Sequence, residues 1–158
     1  MIKYLNSAVT FAEIPTEVTL AINITNCTHN CKGCHSPELR QDIGESLTAE
    51  KLNELIEKNR GVSCVLLLGE GNSLVELKTL VETVKKTTSL KFALYSGAEI
   101  LPNEIWMLFD YVKIGEYNEK AGPLTNRYTN QRLYRKIEKK KHDVEGMNWE
   151  DITHLFWK

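Results

Sequence analysis

The run VSCVLLLG, residues 62–69, holds six apolar residues with no alternation and ends in glycine. A strand with one wet face alternates in polarity; an unbroken apolar strand of this length is one buried on both faces. Such a strand belongs in the interior of a sheet that is covered above and below, and the segments around it fit that requirement. EVTLAINI, residues 17–24, puts Val18, Leu20, Ile22 and Ile24 on one side at a period of two. LTAEKLNELIEKNRG then reads as a helix: Thr48 is placed to cap it, Leu47 and Leu52 form a hydrophobic staple, and Gly61 stops it. Its apolar face is Leu52, Leu55 and Ile56.

GNSLVELKTLVETVKKT reads as a second helix, with a capping box at Ser73 and Glu76 and a core face of Leu74, Leu77, Leu80, Val81 and Val84. LKFALYSG is a strand, PNEIWMLF a short helix with Pro102 near its first turn, and DYVKIGEY a further strand. Strands alternating with helices predict an α/β fold with an open, mostly parallel sheet. Ligands in such sheets gather at the carboxyl ends of the strands. The loop after residue 24 and the GEGNS, YSG and GEYNEK turns all fall at that edge. Beyond residue 117 the period fades. From Arg127 to Lys141 there are seven Arg or Lys and one Glu, and NWEDITHLFW is expected to form a short amphipathic helix using Trp149, Ile152, Leu155 and Phe156.

The net charge of -1 gives no field favouring nucleic acid, and no apolar run approaches the roughly 20 residues of a membrane span. The first residues lack the pattern of a secretory leader, so a cytoplasmic location with reduced thiols is expected. In that setting, NCTHNCKGCH concentrates Cys27, Cys31 and Cys34 in one loop after the first core strand. Clustered thiolates select zinc, copper(I) or iron–sulfur clusters. Zinc would require His29 or His35 as a fourth ligand. A [4Fe–4S] cluster held by three cysteines would instead keep one iron open to a small molecule. Fully extended, the run from Cys27 to Cys34 spans roughly 23–25 Å, so it must curl to meet one cofactor, and Gly33 eases that path. Cys64, the remaining cysteine, sits in mid-strand and reads as a small core hydrophobe.

C-x3-C-x2-C directly after a first α/β strand resembles the radical S-adenosylmethionine (SAM) superfamily. CKGCHSPELRQDIGESLT, LYSG and VKIGEYNEKAGPLTNRYTNQRLY are similar to the activating proteins of anaerobic (class III) ribonucleotide reductase. The resemblance covers roughly residues 1–136, taken as an activase domain, and leaves 137–158 as a basic C-terminal extension. It implies a small partial (βα) barrel with Cys27, Cys31 and Cys34 as ligands of a [4Fe–4S] cluster. It also implies SAM as cosubstrate, bound near Glu70, Asn72, Ser73, Ser96 and His35. Lys113 and Tyr117 are further candidates for the cleft, and TNRYTNQRLY for docking or closure. Leu68 stands where the family has the first glycine of its G-G-(D/E) motif, and Lys32 where it commonly has proline. The implied partners are the large reductase subunit, offering a glycyl loop, and reduced flavodoxin or a similar donor. A pyruvate formate-lyase activase, a deazaguanine-forming synthase and a zinc-stabilised interaction module are the competing readings.

Overall fold

The computed structural model describes residues 2–25, 41–115, 120–137 and 148–157. Among these, eight strands form one sheet in the order β3-β1-β2-β4-β5-β6-β7-β8. The strands are β1 (Lys3–Thr10), β2 (Thr19–Ile24), β3 (Glu45–Ser46), β4 (Cys64–Leu68), β5 (Lys91–Tyr95), β6 (Tyr111–Ile114), β7 (Arg132–Ile137) and β8 (Asn148–Asp151). The helices are α1 (Ala49–Lys58), α2 (Leu74–Lys85) and α3 (Asn103–Trp106), followed late in the chain by a 3-10 turn, Thr153–Phe156.

The centre of the sheet agrees with the strand–helix alternation. β2, β4, β5 and β6 are parallel and lie side by side in chain order. Because such crossovers are right-handed, an unreversed order puts every connecting helix on the same face. The buried residues sort accordingly by strand parity. Leu20, Ile22, Ile24, Val65, Leu67, Phe92, Leu94 and Val112 pack with Leu52 and Leu55 of α1, Leu77, Leu80, Val81 and Val84 of α2, and Ile105 of α3. The alternate residues Ala21, Cys64, Leu66, Ala93 and Tyr111 form a second, smaller cluster on the opposite face. The VSCVLLLG strand is therefore buried on both sides, with Cys64, Val65, Leu66 and Leu67 fully enclosed.

The capping chemistry also holds. Thr48 Oγ1 accepts from Lys51 N at 3.1 Å and Ser73 Oγ from Glu76 N at 3.3 Å, each engaging one of the free N–H groups of a first helical turn.

The flanks correct the expectation of a mostly parallel sheet. β1 pairs antiparallel with β2 and β3, and β7 pairs antiparallel with β6 and β8, so four of the seven pairings are antiparallel and the sheet is mixed. β1 carries little apolar alternation because much of it is exposed; half of β7 is basic (Arg132, Arg135 and Lys136), held in place by ion pairing and hydrogen bonds. The tail is likewise not one helix: it divides into β8 and the 3-10 turn. Ile152 and Phe156 pack onto the second face of the sheet, with Ile14, Leu124 and Leu133 beside them. Trp149 turns the other way and meets the Trp106 ring of α3 at 4.8 Å between centroids, edge to face.

Candidate functional site

The cysteine loop follows the carboxyl end of β2, and the described chain resumes at residue 41, ahead of β3. Cys27, Cys31, Cys34, His29 and His35 lie outside the described residues, as does Tyr117. The two stems of the loop are joined. Thr25, fully buried, donates its hydroxyl to the carbonyl of Ile43 at 2.7 Å, and its backbone N–H donates to Lys3 O at 3.0 Å. A loop pinned at both ends loses less entropy when it closes around a ligand.

Beside this stem runs the turn that follows β4. Gly69 and Gly71 both have positive φ, 113° and 69°. A Cβ on Gly71 would lie 3.2 Å from Ile2 Cδ1 and 3.5 Å from Ile24 Cγ2, and one on Gly69 would lie 3.5 Å from the Ile24 carbonyl oxygen. The glycines thus let the 69–71 backbone run against Ile24 and Thr25 in a conformation that side-chain-bearing residues rarely adopt. Glu70, between them, is half-buried with one carboxylate oxygen turned away from solvent. Asn72 is exposed, and Ser73 is the N-cap of α2.

The next turn along follows β5. Gly69 N–H donates to Tyr95 O at 2.9 Å, which carries the parallel ladder past the end of β4 and sets the two turns side by side. Ser96 is completely buried. Its N–H donates to Lys113 O at 2.8 Å, and its hydroxyl accepts from Ala98 N at 3.0 Å, so it closes its own turn. Tyr95 donates its hydroxyl to the carbonyl of Glu13, and burial, reinforced by the Glu13 charge, pushes its ionisation well above the ordinary phenol range. Lys113, largely buried, carries its ammonium 5.3 Å from the centre of the Tyr95 ring.

Glu70, Ser73, Ser96 and Lys113 are therefore all carried at the carboxyl edge of neighbouring strands, next to the stem of the cysteine loop. Cys64 is not with them. It starts β4, about 13 Å along the strand from Leu68. Burial, with the nearby Glu17 charge, pushes its thiol far above the normal range, as suits an inert core residue rather than a ligand.

TNRYTNQRLY is more structural than its polarity implies. Thr129 and Gln131 are buried: Thr129 donates to Gly122 O at 3.0 Å and Gln131 to Gly115 O at 3.4 Å, while Tyr128 stays exposed. The basic residues of β7 are engaged too. Arg135 meets Glu150 at 2.7 Å, Arg132 meets Asp151 at 3.6 Å, and Lys136 donates to Met107 O at 2.9 Å. The sequence carried no signal for these pairings, because the acids come from a strand placed only by the fold.

The donor chemistry of this edge suits a soft, multi-iron cofactor: the three-cysteine segment follows a pinned stem, and the glycine backbone of 69–71 runs against Ile24 and Thr25 of that stem. Among the described residues, no group of three or more His, Cys, Asp or Glu is arranged to hold a metal ion. The model of a family described as the 4Fe-4S single cluster domain matches residues 17–114. That span runs from the residues leading into β2 to the end of β6 and takes in the cysteine loop, the helical layer and all four parallel strands. The chain belongs to this family of iron–sulfur proteins, and a [4Fe–4S] cluster is the cofactor the membership supports. Comparisons with curated proteins and with solved structures gave no match. No helix among the described residues is long and apolar enough to cross a membrane.

Proposed function

We propose that the chain is a radical SAM activase that generates a glycyl radical on the large subunit of an anaerobic ribonucleotide reductase. The observation that carries this reading is the placement of the C-x3-C-x2-C loop. Its stems are clasped by Thr25 and Ile43 at the carboxyl end of the first parallel strand, within a 4Fe–4S single cluster family. Parallel strands in unreversed order, with helices packed on one face, are also what a small partial (βα) barrel requires.

In this reading Cys27, Cys31 and Cys34 would hold the [4Fe–4S] cluster, which would be left open to bind SAM. Bound there, the cluster would supply the electron for reductive cleavage of the SAM sulfonium. The chain's own residues then have to hold and orient the cosubstrate. Glu70 offers a partly desolvated carboxylate to the cationic amino group. Asn72 and Ser73, at the start of α2, face the carboxylate with backbone N–H groups. His35 stands next to the last cysteine. Ser96 acts through the turn it closes, keeping the backbone after β5 against Lys113 so that the ribose side of the cleft has a fixed wall.

The substrate is a glycine on another protein. Cleaved SAM would supply the hydrogen-abstracting group for that glycine Cα, so the partner loop would have to enter the cleft and exclude water. Reduced flavodoxin or a similar carrier is the electron source in this scheme.

The test is anaerobic reconstitution followed by metal and sulfide analysis and EPR. The reading expects a reducible [4Fe–4S] signal that changes when SAM is added, and a glycyl radical doublet once the reductase large subunit is present. One tightly held zinc without iron would point to the interaction module instead. A glycyl radical formed only on a pyruvate formate-lyase-type partner would reassign the substrate.

A further inference from the structure

The helical layer lies over the parallel strands, and β7 and β8 carry the sheet on past α3. On the helical side, Tyr134 of β7 and Trp149 of β8 pack against Trp106 of α3, with ring centroids 5.7 Å and 4.8 Å from it. All three rings remain partly exposed, and Met107, directly after Trp106, is 59% exposed. Trp, Tyr and Met are the side chains enriched where one protein surface buries another, and Trp and Tyr are its commonest anchors.

Two cations border this aromatic patch. Lys85, the last residue of α2, donates to Leu108 O at 2.6 Å, and Lys136 donates to Met107 O at 2.9 Å, so the two ammoniums sit on successive carbonyls of one turn. The Lys136 ammonium also lies 5.7 Å from the centre of the Trp149 ring. Both carbonyls are uncharged acceptors, and the two positive charges feel each other. Burial pushes the Lys136 ionisation below the ordinary lysine range; Asp110 pulls it back upward, and Lys85 adds to the lowering. A carboxylate arriving between the lysines would relieve that repulsion. The patch is remote from the cysteine loop: Lys136 N–H donates to Asp110 O at 2.8 Å, at the amino end of β6, whereas the loop follows the carboxyl end of β2.

We infer that this face docks an acidic segment of a partner protein, with an apolar side chain set against Trp106, Trp149 and Met107 and carboxylates on Lys85 and Lys136. Charge complementarity sets the sign of the partner. The ring geometry favours protein over nucleic acid. Stacking a base needs an open ring face, whereas here the rings meet edge to face at 69° and 70° and the Lys136 ammonium stands over Trp149. The inference does not depend on the activity proposed above.

The experiment uses the full chain with its cluster reconstituted, kept anaerobic. A synthetic peptide of alternating Glu-Glu and Leu-Leu pairs is titrated by calorimetry at low and at physiological salt. Binding is expected, weaker at the higher salt because the charges are screened. Lys85→Gln combined with Lys136→Gln keeps an N–H donor for each carbonyl and removes both charges. It should weaken binding roughly tenfold, with iron content and far-ultraviolet circular dichroism unchanged. In a Trp157→Phe background the fluorescence comes from Trp106 and Trp149, and the peptide should shield it from acrylamide. The same peptide with Lys in place of Glu should not bind. No binding of the acidic peptide overturns the inference, as does equal affinity in the double variant or quenching that the peptide leaves unchanged. Tighter binding of the lysine peptide or of a DNA oligonucleotide also overturns it, as does shielding that grows with the concentration of the chain alone.

Discussion

The backbone N–H of Gly69 donates to the carbonyl of Tyr95 at 2.9 Å, one step beyond the last residue of β4. This bond holds the turn carrying Glu70 beside the turn carrying Ser96, and the Gly69 backbone is free to make it because φ there is 113°. Substituting Gly69 with Ala puts a side chain into that conformation, at a cost of about 1–2 kcal/mol. Urea denaturation should register the loss, and the SAM-induced change in the EPR spectrum should weaken in parallel. A variant as stable as wild type with an unchanged SAM response would show that the turn geometry is dispensable.

Glu70→Gln removes a charge while keeping the shape of the turn. Charge-assisted hydrogen bonds contribute about 1.5–3 kcal/mol, so SAM affinity should fall roughly 10- to 100-fold. Titration of the reduced cluster's EPR signal with SAM measures this directly, and iron content should stay at the wild-type level. An equal affinity would mean that Glu70 is a solvated turn residue.

Thr25→Val leaves the Ile43 carbonyl without its hydroxyl donor at the neck of the cysteine loop. An unmade buried hydrogen bond costs about 1–3 kcal/mol, and the cost falls on loop closure. Faster release of iron to a chelator is expected, with little change in the far-ultraviolet circular dichroism of the sheet. Cys27→Ser, Cys31→Ser and Cys34→Ser should each abolish stable cluster binding, whereas Cys64→Ala should retain the cluster and lose only some thermal stability. Iron retained in all three serine variants would remove the basis for the cofactor assignment.

At the opposite edge of the sheet, Glu17 is buried and joined to Lys91 at 2.7 Å, to the Ser63 hydroxyl at 2.5 Å and to the Tyr111 hydroxyl at 3.2 Å. Burial alone would raise the Glu17 pKa, but the Lys91 and Ser63 bonds outweigh it and the net shift is downward. Its contribution to stability is therefore present above the ordinary carboxylate range and is lost as pH falls through the lowered folded value. Lys91 shifts upward, chiefly through its bond to Glu17, so its share is complete below the ordinary lysine pKa and is lost as pH rises through the higher folded value. Glu17→Gln should flatten the acid limb of the melting-temperature profile, and Lys91→Met should lower stability at neutral pH by about 1–3 kcal/mol. An acid limb identical in wild type and Glu17→Gln would rule out this cluster as its source.

The parallel core was legible in the chain because its signals are local. Alternation in 17–24, the unbroken run of 62–69, and caps at Thr48 and Ser73 each depend on residues a few positions apart, and all of them recur in the structure. The three-cysteine spacing is equally local, and it lies within the span that defines the family. Only tertiary structure decided the flanks. β1 is half exposed and half of β7 is Arg or Lys; their hydrogen bonds and ion pairs come from partners outside the local stretch, such as Asp151 for Arg132 and Leu20 for Val9. The clasp of Thr25 on Ile43 and the approach of Gly71 to Ile2 are contacts of the same kind. A period of two or 3.6 records which face a residue turns toward the core, but nothing in the linear chain records which distant strand will lie beside it.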